Sequence, residues 1–532
     1  MKRYFSLAFI LALLTSSLWV RLFRINESPA SVNWDEAALG YNSYSLLLTG
    51  RDEFGKPIPV SLRSFDDYKP AGYSYLSVPI IKLWGLSETT TRATSAIFGT
   101  LLVFFVVYIT ASISGSFTAG AAAGIITAFS PWAIHFSRIA FESNVAASWY
   151  LGGIAAFLLG RKNKNYYFVS LAIFIGSMYI YHAQRAIAVP TFVVLTIIFW
   201  RQIKEQIKKE WSSLLILAIC MSVPLVISFA TEPAGSRLAS TNILKLWPFV
   251  PKEFSVAIFN PVYSFLWQVS GQFLAYFSPA NLFFRGSTEP ILRIPGLSIF
   301  NAEILPFWII GIWQVLKNRK YMSVLLPLLI LAPLPGVITW NWFSVVRTLA
   351  VYPLQAIAAG IGFAYLWQKI SGAWWRAVVF GPIMVFCFLA FLYNFLTINL
   401  FAPYITYGDF QPGFEYSVPY MLSESEKYNR VIIESPHIAP YIFVLFYGKY
   451  SPEKYLAEAG LNRKNSGTED YAFGKYEFRK ITHDELYGKN ILLMGSTSAI
   501  PDWRKEEMEK IGIHVEDFPD PMGYTSFRVT SL

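Results

Sequence analysis

"YFSLAFILALLTSSLWVRLF" (residues 4–23) is followed shortly by "SVNWDEAALGYNSYSLLLTG" (31–50). The first run is long enough to span a bilayer, which takes about 20 apolar residues. Lys2 and Arg3 precede it as they would a signal peptide. However, no small-residue cleavage site flanks it and many further apolar runs follow, so a retained helix is expected. The second stretch places two adjacent carboxylates, Asp35 and Glu36, just beyond that helix, where neither helps insertion.

Working outward, the chain is 54% hydrophobic and only 15% charged over 532 residues, whereas soluble domains carry about 25% charged residues. The composition indicates a polytopic α-helical membrane protein. Eleven spans are expected, near 5–22, 88–110, 117–134, 145–160, 166–181, 186–200, 212–230, 302–316, 321–340, 346–367 and 376–398. Basic residues set the orientation, because cytoplasmic loops are enriched in Lys and Arg. With a cytoplasmic N-terminus, the inner loops are "SISGSF", "GRKNKN", "RQIKEQIKKE", "KNRK" and "QKISGAWWR", and all but the first carry at least two basic residues. An odd number of spans then puts the C-terminus outside the cytoplasmic membrane. Cys220 and Cys387 both fall in apolar runs and read as small buried hydrophobes, with no disulfide framework.

The expected outer loops hold most of the ionisable residues that are awkward for a membrane protein. They include the first loop, 23–87, and the long segment 231–301, whose aromatic residues suit the wall of an apolar groove or an interfacial position. Beyond residue 400 the pattern changes. "RVIIES", "YEFRKI", "NILLMGS" and "YTSFRVTSL" read as strands, and "IAPYIFVLFYGKY", "SPEKYLAEAG" and "PDWRKEEMEKIG" as helices. The expected organisation is a transmembrane domain over 1–400 and an extracytoplasmic α/β domain over 401–532.

Local structure alone accounts for part of the acidic pair. Asn33 suits an N-cap, with Glu36 three residues on as its capping-box partner. This explains Glu36 better than Asp35, and neighbours on a helix point about 100° apart, so one carboxylate can hold the turn while the other faces a cavity. Other ionisable residues have similarly plain structural readings. Lys69, just before Pro70, can anchor an interfacial helix; Arg138 and Glu142 can pair at i, i+4 on one face of a short helix; Arg347 can snorkel. His182 and Arg185 lie at the outer mouth of a span. Together, however, Asp35, Lys69, Arg138, Glu142, His182, Arg185 and Arg347 fall at one expected membrane face. Carboxylates beside several cations suit a reaction that deprotonates a nucleophile while a phosphate departs.

The motifs "NWDEAALGYNSYSLLLTGRDEFGKPIPV", "YKPAGYSYLSVPIIKLWGLSETTTRATSAIFG", "SPWAIHFSRIAFESN", "YHAQRAIAVP", "FSPANLFFRG" and "VVRTLAVYPLQAIAAGIGF" resemble bacterial membrane glycosyltransferases of the GT-C fold. They are similar to the branch that contains protein O-mannosyltransferases and the aminoarabinose transferases of lipid A. The resemblance covers about residues 1–400. It implies transfer of a sugar, such as a mannose-like hexose, from a polyprenyl-phosphate donor to a protein, lipid or glycan acceptor outside the cytoplasm. By position, Asp35 matches the catalytic aspartate, Lys69 the lysine that meets the lipid phosphate, and Glu142 a second acidic residue that supports the site. Glu36 would hold the helix start or orient a neighbour. Arg138, His182, Arg185 and Arg347 are further substrate-binding candidates, resting mainly on topology.

No spacing requires a metal, although Asp35, Glu36 and Glu142 could offer oxygen ligands to Mg²⁺ or Mn²⁺. No cofactor is expected to be required. The formal charge of +10 is taken up largely by inner loops and interfacial anchors. No basic domain with stacking aromatics points to nucleic acid. A flippase for lipid-linked sugars would also need phosphate-binding cations, but it should show internal repeats or paired broken helices, and neither is evident. A non-catalytic scaffold with a partner-binding outer domain is the remaining alternative.

Overall fold

The computed structural model describes residues 2–65, 67–231, 261–287, 289, 293–435, 439–459, 470–487 and 490–531. Within the 231–301 segment, 232–260, 288 and 290–292 lie outside the described residues. The chain divides into two compact units: Met1–Phe23 with Ser95–Leu396, and Arg24–Thr94 with Thr397–Leu532. Residues 24–94 thus group with the C-terminal segment, whereas composition had suggested a division at residue 400.

The first unit is helical. It holds α1 (Lys2–Leu22) and most of α4 (Glu88–Ser114), then α5 (Phe117–Phe129), α6 (Pro131–Arg138), α7 (Glu142–Gly160), α8 (Asn165–Met178), α9 (Gln184–Ile198) and α10 (Trp200–Thr231). It continues with α11 (Pro261–Ala275), α12 (Leu305–Lys317), α13 (Arg319–Leu331), α14 (Val351–Lys369) and α15 (Ala373–Leu396). Among the described residues, six helices are long and apolar enough to cross a membrane, or seven if α5 and α6, bent by 54°, count as one span. This is a multi-pass membrane protein, but the count falls short of the eleven spans expected. Three of the other expected spans, 166–181, 186–200 and 302–316, correspond to α8, α9 and α12, of 14, 15 and 13 residues. At about 1.5 Å per residue these are shorter than a bilayer's roughly 30 Å core. The fourth, 346–367, corresponds to α14, whose 19 residues include Tyr352, Gln355, Gly360 and Gly362 and so dilute its apolar content.

Small residues bring the helices close. A Cβ at Gly311 of α12 would lie 1.9 Å from the Ala358 carbonyl oxygen of α14. In membranes, where burial supplies little drive, such close backbone approach is a main source of helix association. The long apolar helices turn much of their surface outward, which corrects the reading of both cysteines as buried: Cys220 is exposed and Cys387 half-buried, each a free thiol.

The second unit begins with α2 (Trp34–Thr49), a hairpin of β1 (Ser61–Ser64) and β2 (Asp67–Pro70), and α3 (Gly72–Trp84). Its C-terminal part contains α16 (Phe414–Ser425), β3 (Arg430–Glu434), α17 (Tyr441–Tyr447), α18 (Pro452–Ala459), β4 (Tyr471–Phe473), β5 (Tyr476–Phe478), β6 (Ile491–Ser496), α19 (Asp502–Lys510), β7 (His514–Pro519) and β8 (Thr525–Ser531). The strands form one sheet in the order β4-β5-β3-β6-β8-β7, with β3 parallel to both β5 and β6 and the other pairings antiparallel. Val431, Ile433, Leu492, Met494 and Val529 share a core with Phe414 and Phe443, whose rings stack at 4.2 Å. Val32, Ala37, Ala38 and Tyr41 belong to the same core. The acidic motif is therefore built on a helix that packs into the α/β fold. Gly40 allows this approach, because a Cβ there would meet the Phe446 ring and the Thr91 hydroxyl at 2.6 Å.

Candidate active site

The acidic pair is divided by its helix. Asn33 is the N-cap of α2, and the capping box is complete: the Asn33 side chain accepts from the Glu36 amide at 3.0 Å, and the Asn33 amide donates back to Glu36 at 3.2 Å. Glu36 then reaches Arg92 of α4. Arg92 Nε donates to Oε1 at 2.9 Å and Nη2 to Oε2 at 3.0 Å, with both side chains sealed from solvent. The same guanidinium holds the carbonyls of Ile25 at 2.8 Å, Pro29 at 3.1 Å and Ser31. This bidentate pair fixes the strand of chain leading into α2. Asp35, one position earlier, stays 39% exposed and forms an ion pair with Lys69 of β2. The register Leu62↔Lys69 seats that lysine on the hairpin, so the sequence expectation of Lys69 beside a helix start becomes a strand position that meets Asp35.

Arg92 was not singled out from the sequence, although it stands in "SETTTRATSAIFG". The available signal was an arginine in the first turns of a bilayer-length helix, since an ionisable residue there calls for a partner.

A second set of ionisable groups surrounds Tyr447. Its hydroxyl donates to Glu88 Oε1 at 2.5 Å and lies 3.0 Å from Ser31 Oγ. Ser31 Oγ is 3.3 Å from Glu415 Oε2, which also accepts from the Gly413 amide at 2.8 Å. Burial, reinforced by Glu88, pushes the Glu415 carboxyl up to about 7, and burial holds the Tyr447 phenol well above its ordinary range. For Glu415 the folded value exceeds the ordinary 4.5. Its cost to the fold is therefore absent in acid and grows as pH rises from about 4.5 to about 7. Glu415→Gln should accordingly unfold at a progressively higher temperature than the unmodified chain over that range, with a constant difference above it. A melting series between pH 4.5 and 8 in lipid nanodiscs reads this directly; parallel curves would show that Glu415 carries its charge without cost.

The remaining candidates lie in the first unit. The expected single helix face for Arg138 and Glu142 is not formed. Arg138 ends α6, Ile139 and Phe141 are extended, and Glu142 starts α7. The break between them removes the i, i+4 relation. Arg138 is fully buried and donates to the carbonyls of Val20 at 3.1 Å and Phe23 at 2.6 Å, at the end of α1. Glu142 is also buried, at the N-terminus of α7. His182 lies in the turn before α9, where its carbonyl accepts from the Arg185 amide at 3.1 Å. Arg185 lines an apolar cavity of about 290 Å³ with Met178, Leu225, Val226 and Phe229, and its buried Nε has no hydrogen-bond partner among the described residues. Arg347, in a 3₁₀ turn before α14, likewise has a buried Nη1 without one.

A divalent metal at the acidic motif fits poorly. Arg92 takes both oxygens of Glu36, Lys69 pairs with Asp35, and among the described residues no three His, Cys, Asp or Glu side chains form a metal-binding group.

No family model matches the sequence, and no curated protein matches it. Solved structures do. ArnT from Cupriavidus metallidurans in the apo state matches with a TM-score of 0.53 and 13% identity, over 98% of each chain. The same protein bound to undecaprenyl phosphate matches at 0.52 and 13%, over 99% of this chain and 98% of that one. The archaeal oligosaccharyltransferase AglB from Archaeoglobus fulgidus, in complex with an inhibitory peptide and a dolichol-phosphate, matches at 0.50 and 14%, over 84% of this chain and 64% of that one. The chain has the GT-C fold. At these identities the likeness is one of architecture, and it extends over the α/β segment as well as the helices, because the match to ArnT runs nearly end to end. What the sites bind must come from their own side chains.

Proposed function

We propose that this chain is a glycosyltransferase that moves a sugar from a polyprenyl-phosphate donor to an acceptor hydroxyl at the outer face of the cytoplasmic membrane. The observation that carries the reading is the division of labour in the acidic pair. Glu36 is sealed by Arg92 and holds the turn, while Asp35 stays open and faces the cation that would meet a phosphate. The GT-C architecture supports it, since ArnT with that fold has been solved with undecaprenyl phosphate bound.

In the proposed step, the Asp35 carboxylate takes the proton of the acceptor hydroxyl as that oxygen attacks the anomeric carbon. The bond from that carbon to the phosphate oxygen breaks, and its electron pair leaves with the polyprenyl phosphate, inverting the centre. The departing phosphate needs no proton but does need compensation of its charge, which Lys69 provides by exchanging Asp35 for the phosphate. Arg185 and Arg347, both in the first unit and each with a buried nitrogen that has no hydrogen-bond partner among the described residues, are further cations proposed for binding the donor. Lys69→Met is expected to lower kcat/KM for the donor by roughly 10–100-fold, the worth of one charge-assisted hydrogen bond of about 1.5–3 kcal/mol.

The reading is tested with purified protein in nanodiscs, given labelled polyprenyl-phosphate sugars and an envelope extract as acceptor. Release of polyprenyl phosphate with sugar appearing in the extract supports transfer. Tight donor binding with no turnover for any sugar in the panel rejects it and points to carriage of the lipid.

A further inference from the structure

The second unit contains a cavity of about 950 Å³ that does not include Asp35 or Lys69 in its walls. That volume is at the upper end of the roughly 300–1,000 Å³ typical of ligand sites. Its ionisable lining is mostly acidic, with Glu88 and Glu415 held toward their neutral forms by burial. Glu27, Glu88, Glu415 and Asp520 line it, and among the described residues Arg24 is the one cation in its walls. Arg24 is already committed, donating from Nε to Glu27 at 2.7 Å. Of two tyrosines in the same walls, Tyr404 ends the candidate membrane span Ala373–Ile405, an ordinary interfacial place for an aromatic ring, whereas Tyr416, 63% exposed, offers a ring face to the cavity.

The lining discriminates between acceptor classes. A phosphate brought against a lining carboxylate meets like-charge repulsion, and among the described residues the lining has no cation beyond Arg24, which is paired. Hydroxyls, in contrast, donate readily to carboxylates, and a protonated amine gains both from the carboxylates and from a tyrosine face. The cavity is also wired to the acidic motif within the same unit. Tyr447 in its wall contacts Ser31, and the Ser31 carbonyl accepts from Arg92, the residue that clamps Glu36.

We propose that this cavity receives the acceptor, and that the acceptor is a phosphate-free glycan in which an amine-bearing sugar is preferred. The assignment rests on the transferase reading but specifies its substrate class.

The test is direct binding to the full chain in phosphatidylcholine nanodiscs by calorimetry. Three trisaccharide probes of one size are compared: glucosamine trimer, its N-acetylated form, and the N-acetylated form bearing a 6-phosphate. The expected order is glucosamine trimer at least ten-fold tighter than the N-acetylated trimer, with the phosphorylated probe weakest. Tyr416→Ala and Glu27→Gln, both at solvent-facing positions, should each weaken the glucosamine trimer at least five-fold. Equal or tighter binding of the phosphorylated probe overturns the proposal. So does absence of binding by all three, or affinity that is indifferent to Tyr416→Ala and matched by spermidine, which would mark a merely acidic surface. Asp35→Asn separates the two readings. Probe binding retained in that variant, while no donor turns over even in the unmodified protein, defeats the transferase reading and leaves a glycan-binding site. Turnover without probe binding defeats the cavity assignment alone.

Discussion

Asp35→Asn is expected to reduce sugar transfer by about 10²–10⁴-fold, the usual contribution of a positioned general base, while changing donor affinity only a few-fold. Asparagine matches the carboxylate in size and can occupy the same position in the first turn of α2, so the capping box of Asn33 and Glu36 and the clamp of Arg92 stay intact. What is lost is the ability to take a proton. Two readouts taken together decide the matter: initial rates of polyprenyl-phosphate release, and equilibrium binding of the donor to the same preparation. A variant that binds donor and fails to turn over places the base at Asp35. A variant that retains most of its rate reduces Asp35 to a helix-start acid.

The ion pair with Lys69 adds a second dimension to that experiment. If Lys69 did no more than orient Asp35, combining Lys69→Met with Asp35→Asn would cost nothing beyond Asp35→Asn alone. If Lys69 instead meets the donor phosphate, the double variant should also lose donor affinity, a loss visible in binding even when no chemistry remains. Residues acting on different steps are expected to show this separation between the rate and the affinity they govern.

The sequence revealed those parts of the molecule whose signals are local. The capping box at Asn33 and Glu36, the strands at Arg430–Glu434, Ile491–Ser496 and Thr525–Ser531, and the helices at Tyr441–Tyr447 and Asp502–Lys510 follow from short-range periodicity and caps, and they are formed. The ordered motifs carried the GT-C resemblance, and the architecture agrees. What was hidden depends on pairings distant in sequence. The bond between Arg92 and Glu36 joins residues 56 positions apart, and that between Tyr447 and Glu88 spans 359. The grouping of residues 24–94 with 397–532 is of the same kind, since no periodicity in "WDEAALGYNSYSLLLT" says which partner its apolar face will meet. The break at Ile139 and Phe141 was missed for another reason: apolar residues without a proline or glycine between Arg138 and Glu142 give no punctuation against a continuous helix.

Removing one half of the Arg92–Glu36 pair should be among the most damaging single changes to the second unit. Arg92→Met leaves the Glu36 carboxylate buried and unpaired, and breaking a buried pair in this way costs about 3–5 kcal/mol. It also strands the carbonyls of Ile25, Pro29 and Ser31, which lose their donor. A cost of that size corresponds to a fall of roughly 6–20 °C in the unfolding temperature of a unit this large. Glu36→Gln should also destabilise, by leaving the guanidinium without its charge. Combining the two changes removes both charges, and a buried ion pair exchanged as a whole is often close to neutral. The double variant should therefore unfold well above Arg92→Met, yet below the unmodified chain, because no side chain replaces the donors to the three carbonyls. Differential scanning in nanodiscs of the four forms gives the coupling between the two positions. Single variants that melt with the unmodified chain would mean that water reaches this pair and that the acidic motif is held in place by something else.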